Sequence, residues 1–193
     1  MGSRERFRAC GSRACLALAA LLGGQLLLAP AALPASAATP TSSPSGPGQA
    51  LTPAERRQLW ATVDVCNAPD DPPHTIGIRA SMPGVSASHE QMYVRFRLQH
   101  LEAAQDRWVN LSDGADSGFV KIGEAKMARQ YGWLFVLKPA AGARALTLRG
   151  VVTFQWRDAT AIVQTLSRPT TAGHKSLAGA DPAGFSAASC LLS

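Results

Sequence analysis

From residue 74 onward, apolar and polar residues alternate along much of the chain. The clearest case is residues 91–100, which have the sequence QMYVRFRLQH. Successive side chains of a β-strand point to opposite faces, so this alternation is typical of a strand with one buried face. The pattern predicts a buried row and an exposed row on this strand: Met92, Val94, Phe96 and Leu98 are inward, and Tyr93, Arg95, Arg97 and Gln99 are outward.

Several other segments have the same short, β-type patterns and are separated by Gly, Pro and Asp-rich turns. They predict strands at 61–66, 74–81, 106–112, 118–123, 131–139, 146–157, 161–167 and 185–192. Trp133 on the strand 131–139, and Phe154 and Trp156 on the strand 146–157, are predicted in the core. Arg149 and Arg157 are predicted on the opposite, polar row of 146–157. The segment 170–189 is rich in Thr, Ala, Gly, Ser and Pro, and is predicted to be a long loop.

A short helix is predicted before the first strand, at 51–60. Thr52 can accept the first free backbone N–H groups, Pro53 suits the first helical position, and Glu55 completes a capping box. About seven to nine short strands without intervening helices favour an all-β fold, an antiparallel immunoglobulin-like sandwich. A closed barrel with a binding pocket is the alternative, since alternating strands fit both closures.

The first 37 residues resemble a secretory signal peptide, with a basic start, an apolar stretch and the small residues Ala35-Ser36-Ala37. We predict cleavage there, a flexible linker over 38–50 and a sandwich domain over 51–193, in a secreted, extracellular protein. A retained transmembrane anchor is the alternative, but glycines and prolines interrupt the apolar stretch. We predict no membrane span after cleavage.

Cleavage would remove four arginines and one glutamate, which lowers the net charge from +6 for the whole chain to +3. This charge is too small to indicate a nucleic acid as partner, and the basic residues do not cluster along the chain. Only Cys66 and Cys190 would remain. Because export leads to an oxidising compartment, we predict a disulfide between them. The alternatives are two free thiols, or a metal pair with a histidine, which the lack of C-x-x-C and H-x-x-x-H spacing disfavours.

Four segments resemble exported, uncharacterised proteins of high-GC Gram-positive bacteria: CNAPDDP, DSGFVKIG, GVVTFQWR and TTAGHKSLAGADPAGFSAASC. The resemblance covers about residues 58–193 and implies an immunoglobulin-like sandwich. It implies no catalytic or binding residue.

No catalytic motif is present, and we predict no cofactor and no metal site. Asp113 and Asp116 lie in a glycine-rich segment that could hold calcium, but they lack the alternating spacing of a calcium loop, so a turn is favoured. The candidate binding residues are His174 in the long loop, Trp108, and Tyr93 on the polar side of its strand.

These observations favour a secreted, non-enzymatic interaction or accessory module, which binds a protein or a cell-wall polymer through the loop 170–187. One alternative is a cell-wall hydrolase that uses His174 with an acid such as Asp181. The other is a carbohydrate-binding module, which needs exposed, coplanar rings at Trp60, Trp108 or Tyr93.

Overall fold

The computed structural model describes residues 50–85, 89–112, 114–138, 144–174 and 178–193. The predicted signal peptide and nearly all of the predicted linker, residues 1–49, lie outside the described residues. The elements, in chain order, are α1 (Pro53–Gln58), β1 (Trp60–Cys66), β2 (Thr75–Met82), β3 (Gln91–Glu102), β4 (Arg107–Asn110), β5 (Asp116–Glu124), β6 (Arg129–Val136), β7 (Leu146–Asp158), β8 (Ala161–Pro169) and β9 (Cys190–Leu192).

The strands form two antiparallel sheets, which confirms the prediction of an all-β sandwich. The small sheet has the order β1-β2-β6. The large sheet has β3 and β7 at its centre, and they pair over ten residues, from Gln91 with Arg157 to His100 with Leu148. The other edge of β3 pairs with β5 and then with β4, while the other edge of β7 pairs with β8 and β9.

The core lies between the two sheets and contains the predicted apolar rows. The side chains of β3 and β7 that face it are fully or almost fully buried: Met92, Val94, Phe96, Leu98, Leu148, Val152, Phe154 and Trp156. Ile76 and Ile78 of the small sheet belong to the same core and are also fully buried. Trp133, which we expected in the core, is only half-buried at its margin.

The helix α1 begins as predicted. The backbone N–H of Glu55 donates to Oγ1 of Thr52 (3.3 Å), and the backbone N–H of Thr52 donates to Oε2 of Glu55 (2.7 Å). This capping box satisfies two N–H groups that have no partner within the helix.

The predicted disulfide is present and joins Cys66, at the end of β1, to Cys190, at the start of β9. Their Cα atoms are 5.6 Å apart, which is a usual separation for a disulfide. The bridge therefore links the small sheet to the last strand of the large sheet.

The predicted strand 185–192 is too long, because only Cys190–Leu192 forms a strand. The preceding segment is a loop that follows the free edge of β1. Ala187 exchanges two backbone hydrogen bonds with Val63 (2.9 and 3.0 Å), and the backbone N–H of Asp181 donates to the carbonyl of Asp64 (2.9 Å). These isolated bridges provide hydrogen-bond partners for backbone groups at the edge of β1, although no continuous strand pairs with that edge.

Candidate functional site

Arginines and aromatic residues alternate on the outer face of the large sheet. The polar row of β3 faces outward, and the antiparallel register aligns it with the outward row of β7 and that of β5. We call this surface the basic face. Its cationic and aromatic members are Tyr93, Arg95, Arg97, Trp108, Phe119, Lys121, Arg149 and Arg157.

Arg157 lies over two aromatic rings at one end of the basic face. Its guanidinium carbon is 4.1 Å from the ring centroid of Tyr93 and 4.7 Å from that of Phe119. Gln155 orients the guanidinium, because its Oε1 accepts hydrogen bonds from Nε (2.9 Å) and Nη2 (2.6 Å) of Arg157. A guanidinium over an aromatic ring is attracted by the negative charge of the ring face.

Arg149 makes the same type of contact at the other end. Its guanidinium carbon is 4.3 Å from the ring centroid of Trp108. Its Nε–H donates to Oε1 of Gln99 (2.9 Å), and Nε2 of Gln99 donates to Oδ1 of Asn110 (3.0 Å). Partial burial lowers the pKa of Arg149, but an arginine so far above neutrality keeps its charge.

Arg95 and Arg97 lie between these two ends. Arg95 forms a bidentate ion pair with Asp116, and the hydrogen bond from Arg95 lowers the pKa of that carboxyl. Arg97 is half-buried, and its Nε has no hydrogen-bond partner among the described residues. Among the described residues of the basic face, cationic groups outnumber acidic groups. The acids nearby are also neutralised by partners, because Asp116 is paired with Arg95 and Glu124, at the sheet edge, is paired with Lys126.

The fold therefore brings together basic residues that do not cluster along the chain. They are distant in sequence, but the pairing of β3 with β7 aligns Gln99 with Arg149 and Gln91 with Arg157. Both arginines stand on the polar row that the alternation in β7 predicts. The missing information was which strand lies beside β3, and periodicity does not contain it.

The three predicted binding residues do not form one site. Tyr93 and Trp108 both lie on the basic face, at opposite ends. His174 instead stacks on Trp60, with ring centroids 4.3 Å apart and an angle of 15° between the planes. All four of these side chains are half-buried.

His174 is fixed by two further contacts in the loop. Its Nε2 is 2.9 Å from Oγ1 of Thr171, and its backbone N–H donates to Oγ of Ser186 (3.0 Å). Burial lowers the pKa of its ring. Within the described residues, no carboxylate oxygen lies within 4.0 Å of a ring nitrogen of His174, and the backbone of Asp181 is bonded to Asp64 instead.

Of the two acids considered for calcium, Asp113 lies outside the described residues, and Asp116 is the partner of Arg95. In the described ranges, no helix has the length and apolar character needed to cross a bilayer. Comparison with protein-family models and with curated proteins finds no match to this chain.

Proposed function

We propose that the protein is an exported, non-enzymatic binding module of the immunoglobulin-like type, and that its basic face binds an anionic polysaccharide of the cell surface. The observation that carries the proposal is the stacking of Arg157 on Tyr93 and of Arg149 on Trp108. The ring fixes the orientation of each guanidinium, so less conformational entropy is lost when an anion binds.

The stacking favours an anionic over a neutral sugar polymer. A neutral sugar binds to the open face of an aromatic ring, whereas here a guanidinium covers one face of Tyr93 and of Trp108. In the described part of the chain, Arg149 donates one hydrogen bond, from Nε to Gln99. Its other N–H groups can donate to a carboxylate, sulfate or phosphate of a ligand.

The dimensions of the basic face favour a polymer over a small ion. Tyr93 and Leu101, the partner of Trp108, are eight residues apart on β3, which at about 3.3 Å per residue corresponds to roughly 26 Å. The cationic groups are distributed along this length, with Arg95 and Arg97 between the two stacked arginines. The signal-peptide pattern argues for a ligand outside the cytoplasm, which favours a polysaccharide over a nucleic acid.

Two polymers with one backbone test the proposal. We expect the described domain to bind dextran sulfate, with an affinity that decreases as NaCl increases, and not to bind uncharged dextran. The variant Arg149→Gln/Arg157→Gln should lose at least about ten-fold in affinity. Arg57→Gln/Lys138→Gln, two exposed positions outside the large sheet, is the charge-matched control and should bind as the wild type does.

Equal binding to dextran and dextran sulfate would overturn the proposal, as would undiminished binding by the double variant. Tighter binding to a single-stranded oligonucleotide than to dextran sulfate, at equal charge, would assign the basic face to a different class of ligand.

A further inference from the structure

A pocket lies on the small sheet and shares no residue with the basic face. It has a volume of about 450 Å³, with walls from all three strands of this sheet and from the loop around residue 180. The charged residues that line it are Asp64, Asp71, Arg79 and Asp181. The volume suits a small organic molecule and is within the usual range for ligand pockets.

A buried ion pair belongs to this pocket. Nε of Arg79 donates to Oδ2 of Asp64 over 2.7 Å, and the side chain of Asp64 is only 3% exposed. Burial raises the pKa of Asp64, and the hydrogen bond from Arg79 opposes this effect. Among the described residues, none accepts a hydrogen bond from Nη1 or Nη2 of Arg79, so these groups are available to a ligand.

Two glycines make room for the guanidinium of Arg79. A Cβ atom at Gly132 would lie 3.1 Å from Nη2 and 3.2 Å from Cζ, and one at Gly179 would lie 2.9 Å from Nη2. Any other residue at these positions would press against the guanidinium. The absence of side chains at these two positions therefore lets the guanidinium lie close to the backbone of β6 and of the loop, with Nη2 beside two glycines that line the pocket.

The remaining charges restrict the ligand. Asp71 and Asp181 line the same pocket, but within the described ranges neither carboxylate is within 4.0 Å of a nitrogen of Arg79. Because Asp64 offsets the charge of Arg79, the two further acids make the pocket acidic and repel a simple anion. A simple cation would be attracted by these acids but would leave Nη1 and Nη2 of Arg79 without an acceptor. A ligand that carries both charges avoids both unfavourable outcomes.

We propose that this pocket binds a small zwitterion with an ammonium and a carboxylate on the same carbon atom, of which a free α-amino acid is the simplest. Nη1 and Nη2 of Arg79 donate to the ligand carboxylate, and Asp71 and Asp181 accept from its ammonium. Asp64 is a positioning residue, because it holds Nε of Arg79 and leaves Nη1 and Nη2 for the ligand.

The test uses glycine and both enantiomers of alanine as probes, with binding followed by the backbone amide signals of Gly132 and Gly179 in NMR titrations. We expect saturable shifts with at least one of these amino acids. N-acetylation, which removes the positive charge, and amidation, which removes the negative charge, should each weaken binding about ten-fold or more.

Asp71→Asn should weaken binding at least about five-fold, whereas the neighbouring Asp70→Asn, which does not line the pocket, is the matched control and should have no effect. Replacing Arg79 leaves Asp64 buried without its partner and can prevent folding, so Gly132→Ala is the second variant. It should abolish the shift at Gly179 while the far-ultraviolet circular dichroism is retained. Absence of shifts with all three amino acids, or equal binding of the charged and capped forms, would overturn the proposal.

Discussion

The guanidinium carbon of Arg149 lies 4.3 Å from the centre of the Trp108 ring, although Arg149 is on β7 and Trp108 on β4. The two strands do not pair with each other, because β3 lies between them and contributes Gln99 to the same network. The contact therefore depends on three strands of the large sheet. It places a fixed cation where the sequence shows only an isolated tryptophan.

The first prediction concerns the role of this ring. Trp108→Leu removes no charge, but it releases the guanidinium of Arg149, so the affinity for dextran sulfate should fall by about two- to five-fold. Trp60→Leu is the matched control, because Trp60 stacks on His174 and not on the basic face. Equal losses in the two variants, measured by fluorescence anisotropy with labelled polymer, would mean that the ring of Trp108 has no specific role.

The second prediction concerns the disulfide. Cys66→Ser and Cys190→Ser should lower the melting temperature by the same amount, because both remove one bridge between positions 124 residues apart. The chain-entropy model gives roughly 4–5 kcal/mol as the largest contribution of such a bridge. Scanning calorimetry with and without dithiothreitol measures the effect. An unchanged melting curve of the wild type under reducing conditions would contradict it.

A pair of phenylalanines tests the assignment of the two faces of the large sheet. Phe154 is fully buried and Phe119 is 37% exposed on the basic face. Phe154→Ala should reduce the free energy of unfolding by about 3–5 kcal/mol, because it leaves a cavity in the core. Phe119→Ala should cost much less, roughly 1 kcal/mol or below. Urea denaturation compares them, and a reversed order would invert the assigned faces.

The fourth prediction concerns pH and His174. Burial lowers the pKa of this ring in the folded state below the reference value of 6.5. The unfolded chain therefore binds more protons in the interval between the two values, and the free energy of unfolding decreases as pH falls from 6.5 through the folded pKa. His174→Asn should make this dependence weaker. An NMR titration of the ring with a midpoint at or above 6.5 would contradict this prediction, because the dependence would then be absent or have the opposite sign.

The alternation of apolar and polar residues was sufficient to predict most of the fold. Met92, Val94, Phe96 and Leu98 are buried as predicted, because strand periodicity is a local property that one buried face imposes directly. The last strand was predicted too long. Residues around Ala187 bond to backbone groups at the edge of β1 through isolated bridges. Their sequence pattern does not distinguish a loop with such bridges from a strand.

The candidate sites depend on contacts between distant segments, and this is why the sequence predicted them only in part. Tyr93 and Trp108 were identified as exposed aromatic candidates, but their arginine partners come from β7, and strand order is not encoded in periodicity. The pocket required β1, β2, β6 and the loop around Gly179 together. Asp64 and Arg79 have no sequence signal that connects them, because a buried ion pair has no fixed spacing.

The most direct test of the basic face is a map of the amides that respond to a short, sulfated oligosaccharide in a ¹⁵N–¹H NMR titration of the domain. We predict that the shifted amides cluster on β3, β5 and β7 around Tyr93, Arg97 and Arg149, and that those of α1 do not move. Shifts concentrated in α1, beside Arg56 and Arg57, or scattered over both sheets, would contradict the assignment of the ligand to this face.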